Sequence, residues 1–281
     1  LSCHATRLGA VWGDDPLAPP PELGGGNFVF LQEDNLNDGH AGATNPIPGD
    51  AAGHNVIAPS KGVAADATLT TSPGGAYPSN VLSCTSCHDP HGNQDFRLLY
   101  GVGTVTAGNF PFAFPAPDAT GLALFGAPES NSNHTAYRSG MSAWCGNCHG
   151  DFHNNGAKLI HPSGRAIGSL ANTYNLYNGT DDLTGGTQAT AYLAAVPFEG
   201  ATNGTPGNTS GPVGSDQVSC ISCHRAHATS GPDAGRWDFN VTFLAEDGLE
   251  SGAYIIPNPY TVNQRSLCNK CHAQDVNQAP F

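Results

Sequence analysis

The sequence predicts a mostly irregular fold with short helices, few short strands and long loops rich in glycine and proline. The 281 residues include 36 glycines and 22 prolines, and charged residues make up only 12%. Ordinary soluble domains carry about a quarter charged residues, so the composition departs from theirs. The second observation is a five-residue pattern, C-x-x-C-H, which occurs four times and uses eight of the nine cysteines. Each copy predicts one short helical turn within the irregular chain.

This pattern is the attachment signature of a c-type haem. Cysteines at i and i+3 lie about one helical turn apart on one face, so both thiols can reach the vinyl groups along one porphyrin edge. The adjacent histidine projects from the same turn toward the iron. Several apolar macrocycles would supply a core that this composition alone does not. The predicted haem-binding residues are Cys84, Cys87 and His88, then Cys145, Cys148 and His149, then Cys220, Cys223 and His224, and finally Cys268, Cys271 and His272.

Other uses of paired cysteines explain the pattern less well. Two C-x-x-C pairs can form a structural zinc site, and one pair can be a thioredoxin-like dithiol. Neither requires a histidine directly after the second cysteine, and histidine fills only 12 of the 281 positions. An evenly repeated C-x-x-C-H is also a poor framework for disulfides. The sequence therefore predicts haem c at all four copies.

The ninth cysteine lies in Leu1-Ser2-Cys3-His4, which lacks only the first cysteine of a fifth C-x-x-C-H. We expect a fifth haem on Cys3 and His4, with the first cysteine of its motif preceding residue 1. The alternative is a stray cysteine beside a surface histidine.

Few regular elements are predicted between the motifs. In the turn-rich segment 5–80, only Asn27–Gln32 looks like a short strand. Residues 110–114 alternate phenylalanine with other residues, as in an extended segment that packs a loop. Ser139–His153 is the best helix candidate and runs through the second motif. Residues 237–243 alternate large apolar side chains, which predicts another strand.

An internal repeat organises the chain. Ser83-Cys-x-Ser-Cys-His-x-x-His91 matches Ser219-Cys-x-Ser-Cys-His-x-x-His227, and each is followed by an Asp-Phe pair. The second and fourth motifs lack the additional histidine, so we expect a tandem A-B-A′-B′ array. The whole chain, 1–281, is predicted to be one multihaem domain. Its expected parts are an N-terminal haem-plus-loop segment 1–78, sub-repeats 79–165 and 215–281, and a spacer 166–214.

Five irons would need second axial ligands. The motif histidines, including His4, fill the proximal side, and seven histidines remain. Methionine cannot be the general second ligand, because Met141 is the only one. Bis-histidine ligation leaves no open position for a substrate, so the haems would carry electrons. The predicted distal ligands are His40, His54, His91, His153, His161 and His227.

Position along the chain limits these choices. His91 and His227 follow their proximal histidines by three residues, too close to reach the opposite face of the same iron. Each should therefore bind a neighbouring haem. His134 is the histidine that we expect to stay on the surface. His40 and His54 lie in the long N-terminal loop, and either could bind a haem of its own chain or the terminal haem of another copy.

Charge and hydropathy exclude several partners. The formal net charge is −13, and haem propionates would make it more negative, which argues against nucleic acid and anionic lipid. No apolar run approaches about 18 residues, so we expect no membrane span. We read the chain as a mature form without its signal peptide. Because c-type haem is attached outside the cytoplasm, we expect an extracellular or cell-surface location.

The motifs, together with phrases such as Gly140-Met-Ser-Ala-Trp-Cys-Gly-Asn-Cys-His149, resemble outer-surface multihaem c-type cytochromes of metal-reducing microbes. The greatest similarity is to those that polymerise into extracellular cytochrome filaments. The resemblance implies a continuous haem chain with parallel-stacked and T-shaped pairs, and a ligand histidine that the next subunit can donate. It also implies the partners, which are copies of the chain arranged head to tail, other electron-transfer cytochromes, and extracellular acceptors such as metal oxides, electrodes or other cells.

Three functions are compatible with a multihaem chain. The first is extracellular electron transfer through a polymerised filament, and the second is electron transfer by a monomeric periplasmic or surface carrier. The third is a multihaem reductase, which needs an iron with a free face. Every complete motif here ends in histidine, and spare histidines outnumber irons, so the sequence favours electron transfer over an enzyme.

Overall fold

The computed structural model describes residues 9–20, 23–37, 46–123, 127–153, 161, 163–247, 258–275 and 277–278. Within these ranges the regular elements are short, and long loops join them, so the irregular fold expected from the sequence is confirmed. The α-helices are α1 (Met141–Cys145) and α2 (Leu170–Leu176).

The strands form four separate two-stranded antiparallel pairs in the described part of the chain. The pairs are β1 (Leu36–Asn37) with β2 (Pro46–Ile47), β3 (Val105–Thr106) with β4 (Phe110–Pro111), β5 (Asp118–Thr120) with β6 (Ala136–Ser139), and β7 (Arg165–Ala166) with β8 (Gln217–Val218).

Single turns of 3₁₀-helix supply most of the remaining regular structure, as is usual for connectors. They span Phe28–Gln32, Gly49–Ala51, Pro59–Lys61, Ser79–Val81, Cys84–Ser86, Phe96–Leu98, Ala107–Asn109, Gly150–Phe152, Gln188–Thr190, Cys220–Ser222, Pro232–Ala234, Leu244–Glu246 and Leu267–Lys270. Each complete C-x-x-C-H motif begins on one of these turns or at the end of α1, as the cysteine spacing predicts.

The strand predicted at Asn27–Gln32 is wrong, because these residues form a 3₁₀-helix. The Asn27 side chain lies at its N-cap and accepts a hydrogen bond from the Val29 amide at 3.0 Å. Four successive residues of the helix, 28–31, are buried, whereas a half-buried strand would bury alternate ones. The capping asparagine therefore outweighs the β propensity of the apolar residues.

The strand predicted at residues 237–243 is also wrong. Asp238 accepts a hydrogen bond from the Asn240 amide at 2.8 Å, which bends the chain two residues after Trp237. Trp237 is fully buried, and its ring meets Phe239 edge to face at 5.6 Å. The apolar alternation reflects aromatic packing around a turn rather than a pleat.

The helix predicted at Ser139–His153 is shorter than expected. It forms only at Met141–Cys145, and a 3₁₀-turn follows at Gly150–Phe152. Gly140 precedes the helix with a φ of 87°, a left-handed conformation that glycine adopts without strain. The helix thus begins abruptly, four residues before the first cysteine of its motif.

Three small apolar clusters replace a single large core. The first surrounds Trp12 and Phe30, and the third joins Tyr137, Met141 and Ile221. The second gathers buried aromatic and leucine side chains, and motif cysteines pack at its edge. Its buried members include Tyr174, Tyr192, Phe198, Trp237, Leu244 and Leu267, with Cys223, Cys268 and Cys271 beside them. The segment 166–214, expected to be a spacer, therefore contributes core residues.

Among the described helices, none combines the length and apolar character that crossing a bilayer requires.

Candidate haem-binding sites

All four complete motifs share one local geometry. The amide of each motif histidine donates to the carbonyl of the first cysteine, and the four hydrogen bonds are each 3.0 Å long. This i to i−4 bond closes one helical turn, so both cysteines and the histidine come from the same turn. The histidines that donate are His88, His149, His224 and His272. None of the eight described cysteines forms a disulfide.

The first and third motifs repeat each other in detail. In each, a serine before the first cysteine and a serine before the second form a capping box. The amide of Ser83 donates to the Ser86 hydroxyl at 3.0 Å, and the amide of Ser219 donates to the Ser222 hydroxyl at 3.1 Å. These serines thus hold both motif turns in the same conformation.

The proximal histidine ring is oriented by a backbone carbonyl in three motifs. The Nδ1 atoms lie 2.7 Å from the Arg97 carbonyl for His88, 2.8 Å from Pro73 for His149 and 2.9 Å from Asp233 for His224. A neutral imidazole that donates from Nδ1 offers the Nε2 lone pair to a metal. The three rings therefore have the tautomer and orientation that an axial haem ligand needs.

Two of these carbonyls come from unusual turns. Arg97 and Leu98 have positive φ angles of 53° and 58°, and Asp233 and Ala234 have 57° and 55°. Residues other than glycine rarely adopt this backbone conformation. The strain that it costs is typically found where the conformation positions a functional group. Sequence reasoning did not find these orienting residues. The Asp-Phe pairs that the sequence aligns are not structurally equivalent, since Phe96 begins the first turn whereas Phe239 follows the second.

Three pairs of histidine rings lie close together. Their centroids are 6.4 Å apart for His88 and His227, and 6.2 Å apart for His272 and His161. For His149 and His54 the separation is 5.8 Å. Two imidazoles on opposite sides of one metal, each bound at about 2.0–2.1 Å, place their centroids about 6 Å apart. The three pairs therefore fit an iron between their rings.

His54 carries the same orienting contact as the proximal histidines. Its Nδ1 lies 2.7 Å from the Ala226 carbonyl. The His54 side chain is exposed to solvent, but nearby protein atoms still desolvate its ring. Desolvation, with the charge of His149 as the second cause, lowers its pKa to about 4. His54 is thus held neutral, which is the form that binds a metal.

His227 is also held in the neutral form. Burial lowers its pKa to about 3, with smaller contributions from His88 and His54. Its ring stacks on Phe28 with a centroid distance of 4.4 Å. His227 follows the third motif, but its ring lies beside His88 of the first motif. A ligand to a neighbouring haem would need such a position.

The remaining candidates do not face a described motif histidine. His91 has a side chain that is 94% exposed, and its Nδ1 lies 3.6 Å from the Asp89 carboxylate. The His153 ring meets Phe114 edge to face at 5.6 Å and lies beside Gly146 of the second motif. Three further predicted residues, Cys3, His4 and His40, lie outside the described residues.

The surface position expected for His134 is wrong. The side chain is fully buried and stacks on Tyr192, with ring centroids 3.6 Å apart. Its Nδ1 lies 3.1 Å from the Thr135 carbonyl and its Nε2 lies 2.8 Å from the Asn208 carbonyl. Both ring nitrogens are engaged by the backbone, so His134 is a structural residue.

The motifs are neighbours in space in the order that they have in sequence. Burial raises the pKa of Cys87 to about 12, with Cys148 of the next motif as the second cause. A hydrogen bond between the thiols of Cys145 and Cys220 raises the pKa of Cys145 and lowers that of Cys220. Burial raises the pKa of Cys223 to about 12, with Cys268 and Cys271 of the fourth motif as the next causes. The four attachment sites therefore form a continuous row.

No protein-family model matches this chain. It is 31% identical over 343 residues to C-type cytochrome OmcS of Geobacter sulfurreducens, covering 94% of this chain and 77% of that protein. Two solved structures are similar at 30% identity. The Outer Membrane Cytochrome S Filament has a TM-score of 0.79 over 93% of this chain and 83% of its own, and the OmcS nanowires have 0.76 over 94% and 84%. This chain therefore belongs to the family of C-type cytochrome OmcS, and it is a multihaem c-type cytochrome that transfers electrons.

Proposed function

We propose that this chain conducts electrons outside the cell as a filament of identical subunits joined head to tail. The observation that carries the proposal is the row of four attachment motifs with three facing histidine pairs between 5.8 and 6.4 Å. The similar structures are a filament and nanowires of an outer-membrane cytochrome. Because the similarity covers more than nine-tenths of this chain, it extends well beyond the motifs.

The axial ligands follow from the facing pairs. His88 and His227 would bind one iron, His149 and His54 a second, and His272 and His161 a third, as the separations of their rings suggest. The carbonyls beside Nδ1 of His88, His149 and His54 accept from these rings, which would leave Nε2 of each ring free to bind the metal. Bound haem supplies an iron that cycles between the ferric and ferrous states. The histidines keep both axial positions filled, which restricts the chemistry to electron transfer.

The repeat assigns His91 to the fifth haem. His227 follows the third motif and faces the histidine of the first motif, which is the preceding A-type element. His91 holds the equivalent position after the first motif, and the A-type element before it is Cys3-His4. His91 therefore belongs to the iron of His4. Its exposed side chain in the described chain supports this assignment.

One motif histidine, His224, still needs a second ligand. Two predicted distal ligands, His40 and His153, remain after the other four are assigned. The His153 ring is packed against Phe114 and the second motif, so we assign His40 to the iron of His224. His40 reaches it from the same chain or from the adjacent subunit, and the filament experiments below separate these two cases.

The row of motifs gives electrons a path through one subunit. With the fifth haem, the path would run from the Cys3-His4 end through Cys84, Cys145 and Cys220 to Cys268. A head-to-tail contact joins unlike surfaces, so it propagates into a filament unless its rotation closes a ring. The low content of charged residues, 12%, limits repulsion between copies. The terminal partners would be other cytochromes or solid acceptors such as metal oxides.

Assembly and haem content test the proposal together. The haem-loaded chain is purified, its intact mass is measured, and its sedimentation is followed over a wide concentration range. We expect a mass excess of five haems and sedimentation as long polymers. A monomer at the highest concentration would contradict the filament and favour the monomeric carrier. A mass excess of four haems would remove the fifth haem and the assignment of His91.

A further inference from the structure

Glu199 lies in the core beside the second motif, outside every C-x-x-C-H sequence. Its side chain is only 3% exposed. Oε1 accepts a hydrogen bond from the Gly140 amide at 2.6 Å, and Oε2 accepts one from the Met141 amide at 3.0 Å. Helix α1 has no capping side chain of its own at Gly140. Glu199 therefore caps the helix that carries Cys145, from a distant part of the chain.

The same carboxylate also contacts the third motif. The hydroxyl of Ser219, the residue before Cys220, donates to Oε2 at 3.3 Å. The backbone of Glu199 forms two hydrogen bonds with Gln217, of 3.0 and 2.7 Å, directly before this motif. Both the backbone and the carboxylate of Glu199 are therefore hydrogen-bonded to the start of the third motif.

Ser142 completes the connection between the two motifs. Its hydroxyl donates to the Ser219 hydroxyl at 3.0 Å and accepts from the Cys220 amide at 3.3 Å. Both serines are buried. Beyond this network, the side chains of Cys145 and Cys220 lie close enough to each other to shift each other's pKa. The second and third attachment sites are therefore joined by a buried polar network centred on one carboxylate.

We propose that Glu199 is the positioning residue that sets the distance and angle between the haems attached at the second and third motifs. This inference rests on the proposed attachment of haem at both motifs. A thioether bond fixes each porphyrin edge to its cysteine, so the relative position of Cys145 and Cys220 determines how the two edges meet. Electron transfer between them depends on that separation. Glu199 and Ser142 hold the two motif turns in a fixed relative position, because their hydrogen bonds are buried.

The carboxylate has a second, electrostatic consequence. A buried negative charge beside two attachment motifs would favour the ferric state of haems bound there, because charges interact strongly where water is excluded. Removing that charge should shift the midpoint potentials of these two haems in the positive direction. Ser142 is neutral, so its removal should loosen the register without this shift. The two variants therefore separate the geometric effect from the electrostatic one.

Circular dichroism in the Soret band tests the register, because coupling between two haem transitions depends on their distance and angle. The variants are Glu199→Gln, Glu199→Ala and Ser142→Ala in the haem-loaded chain, with spectroelectrochemical titration of each. We expect an altered Soret couplet in all three, largest for Glu199→Ala, since glutamine keeps one acceptor oxygen. Both Glu199 variants should also show the positive shift in potential, and Ser142→Ala should not.

Asp216→Asn is the matched control. Asp216 is 2% exposed and accepts from the Val213 and Thr202 amides at 2.8 and 3.4 Å, but it bonds to no motif residue. The Soret couplet of Asp216→Asn should match that of the wild type. Ser142→Ala keeps a good helix former in α1, so a failure of Glu199→Ala to fold leaves the test intact. Unchanged couplets in Ser142→Ala and Glu199→Gln would overturn the positioning role. Absence of covalent haem from the wild type would instead refute the proposed function.

Discussion

The rings of His88 and His227 lie close together, with their centroids 6.4 Å apart and their planes at 62°. His88 ends the first C-x-x-C-H motif, whereas His227 follows the third. This contact brings the two halves of the repeat together. It is also the contact on which the assignment of distal ligands by repeat position depends.

Replacing His227 by alanine should leave one iron without its second ligand. The haem of the first motif would become five-coordinate and high-spin, while the other haems stay low-spin, because His88 alone remains on that iron. Resonance Raman spectra of the haem-loaded variant measure the spin state of each population. Covalent haem content should be unchanged, since the cysteines are intact. A fully low-spin spectrum would exclude His227 as an axial ligand.

Replacing His54 distinguishes ligation within the chain from ligation between copies. His54 faces His149 of its own chain at 5.8 Å, so His54→Ala should create one high-spin haem without shortening filaments. His40→Ala is the companion variant. If His40 is donated by the adjacent subunit, that variant yields both a high-spin haem and shorter filaments by electron microscopy. Shortened filaments in His54→Ala would contradict the facing of His54 toward His149.

His134→Ala should change stability but not the haem spectrum. The variant removes a buried ring whose nitrogens contact the carbonyls of Thr135 and Asn208. Leaving a buried carbonyl without its donor costs about 1–3 kcal/mol, so the free energy of unfolding should fall by that amount. Denaturant titration followed by far-ultraviolet circular dichroism measures the change. A new high-spin signal in this variant would show that His134 is a ligand.

Asn27→Ala should destabilise the N-terminal cluster. The Asn27 side chain accepts from the Gly13 and Val29 amides and donates to the Gly9 carbonyl. Loss of an N-cap costs about 0.5–2 kcal/mol, and the buried contacts add to this cost. The midpoint of denaturant unfolding should therefore decrease. Asn172→Ala, at an exposed position of α2, is the control and should have little effect.

The sequence specifies the proximal half of each candidate site directly, and the reason is physical. A C-x-x-C-H motif is local, so one helical turn brings its three functional side chains together, as at Cys84–His88. The distal half is formed by contacts between distant segments, such as His54 with His149. No local pattern specifies those pairs, and the sequence could supply only the list of candidates.

The errors have the same origin. His134 looked like a surface residue because its neighbours are polar, but Tyr192 covers its ring. Residues 28–31 looked like a strand because they are apolar, but Asn27 caps them as a helix. Glu199 gave no signal at all, since its role depends on packing against two motifs that lie elsewhere in the chain. In each case a particular side-chain contact, which the pattern of polar and apolar residues does not show, decided the structure.

The most direct test of the account is a cryo-electron microscopy map of the haem-loaded chain at high concentration. The account predicts a filament in which a continuous row of haems follows the motif order from Cys84 to Cys268. One iron should lie between His88 and His227, and no iron should have an open axial position. Separate single subunits, or an iron bound by only one histidine in the assembled form, would contradict it.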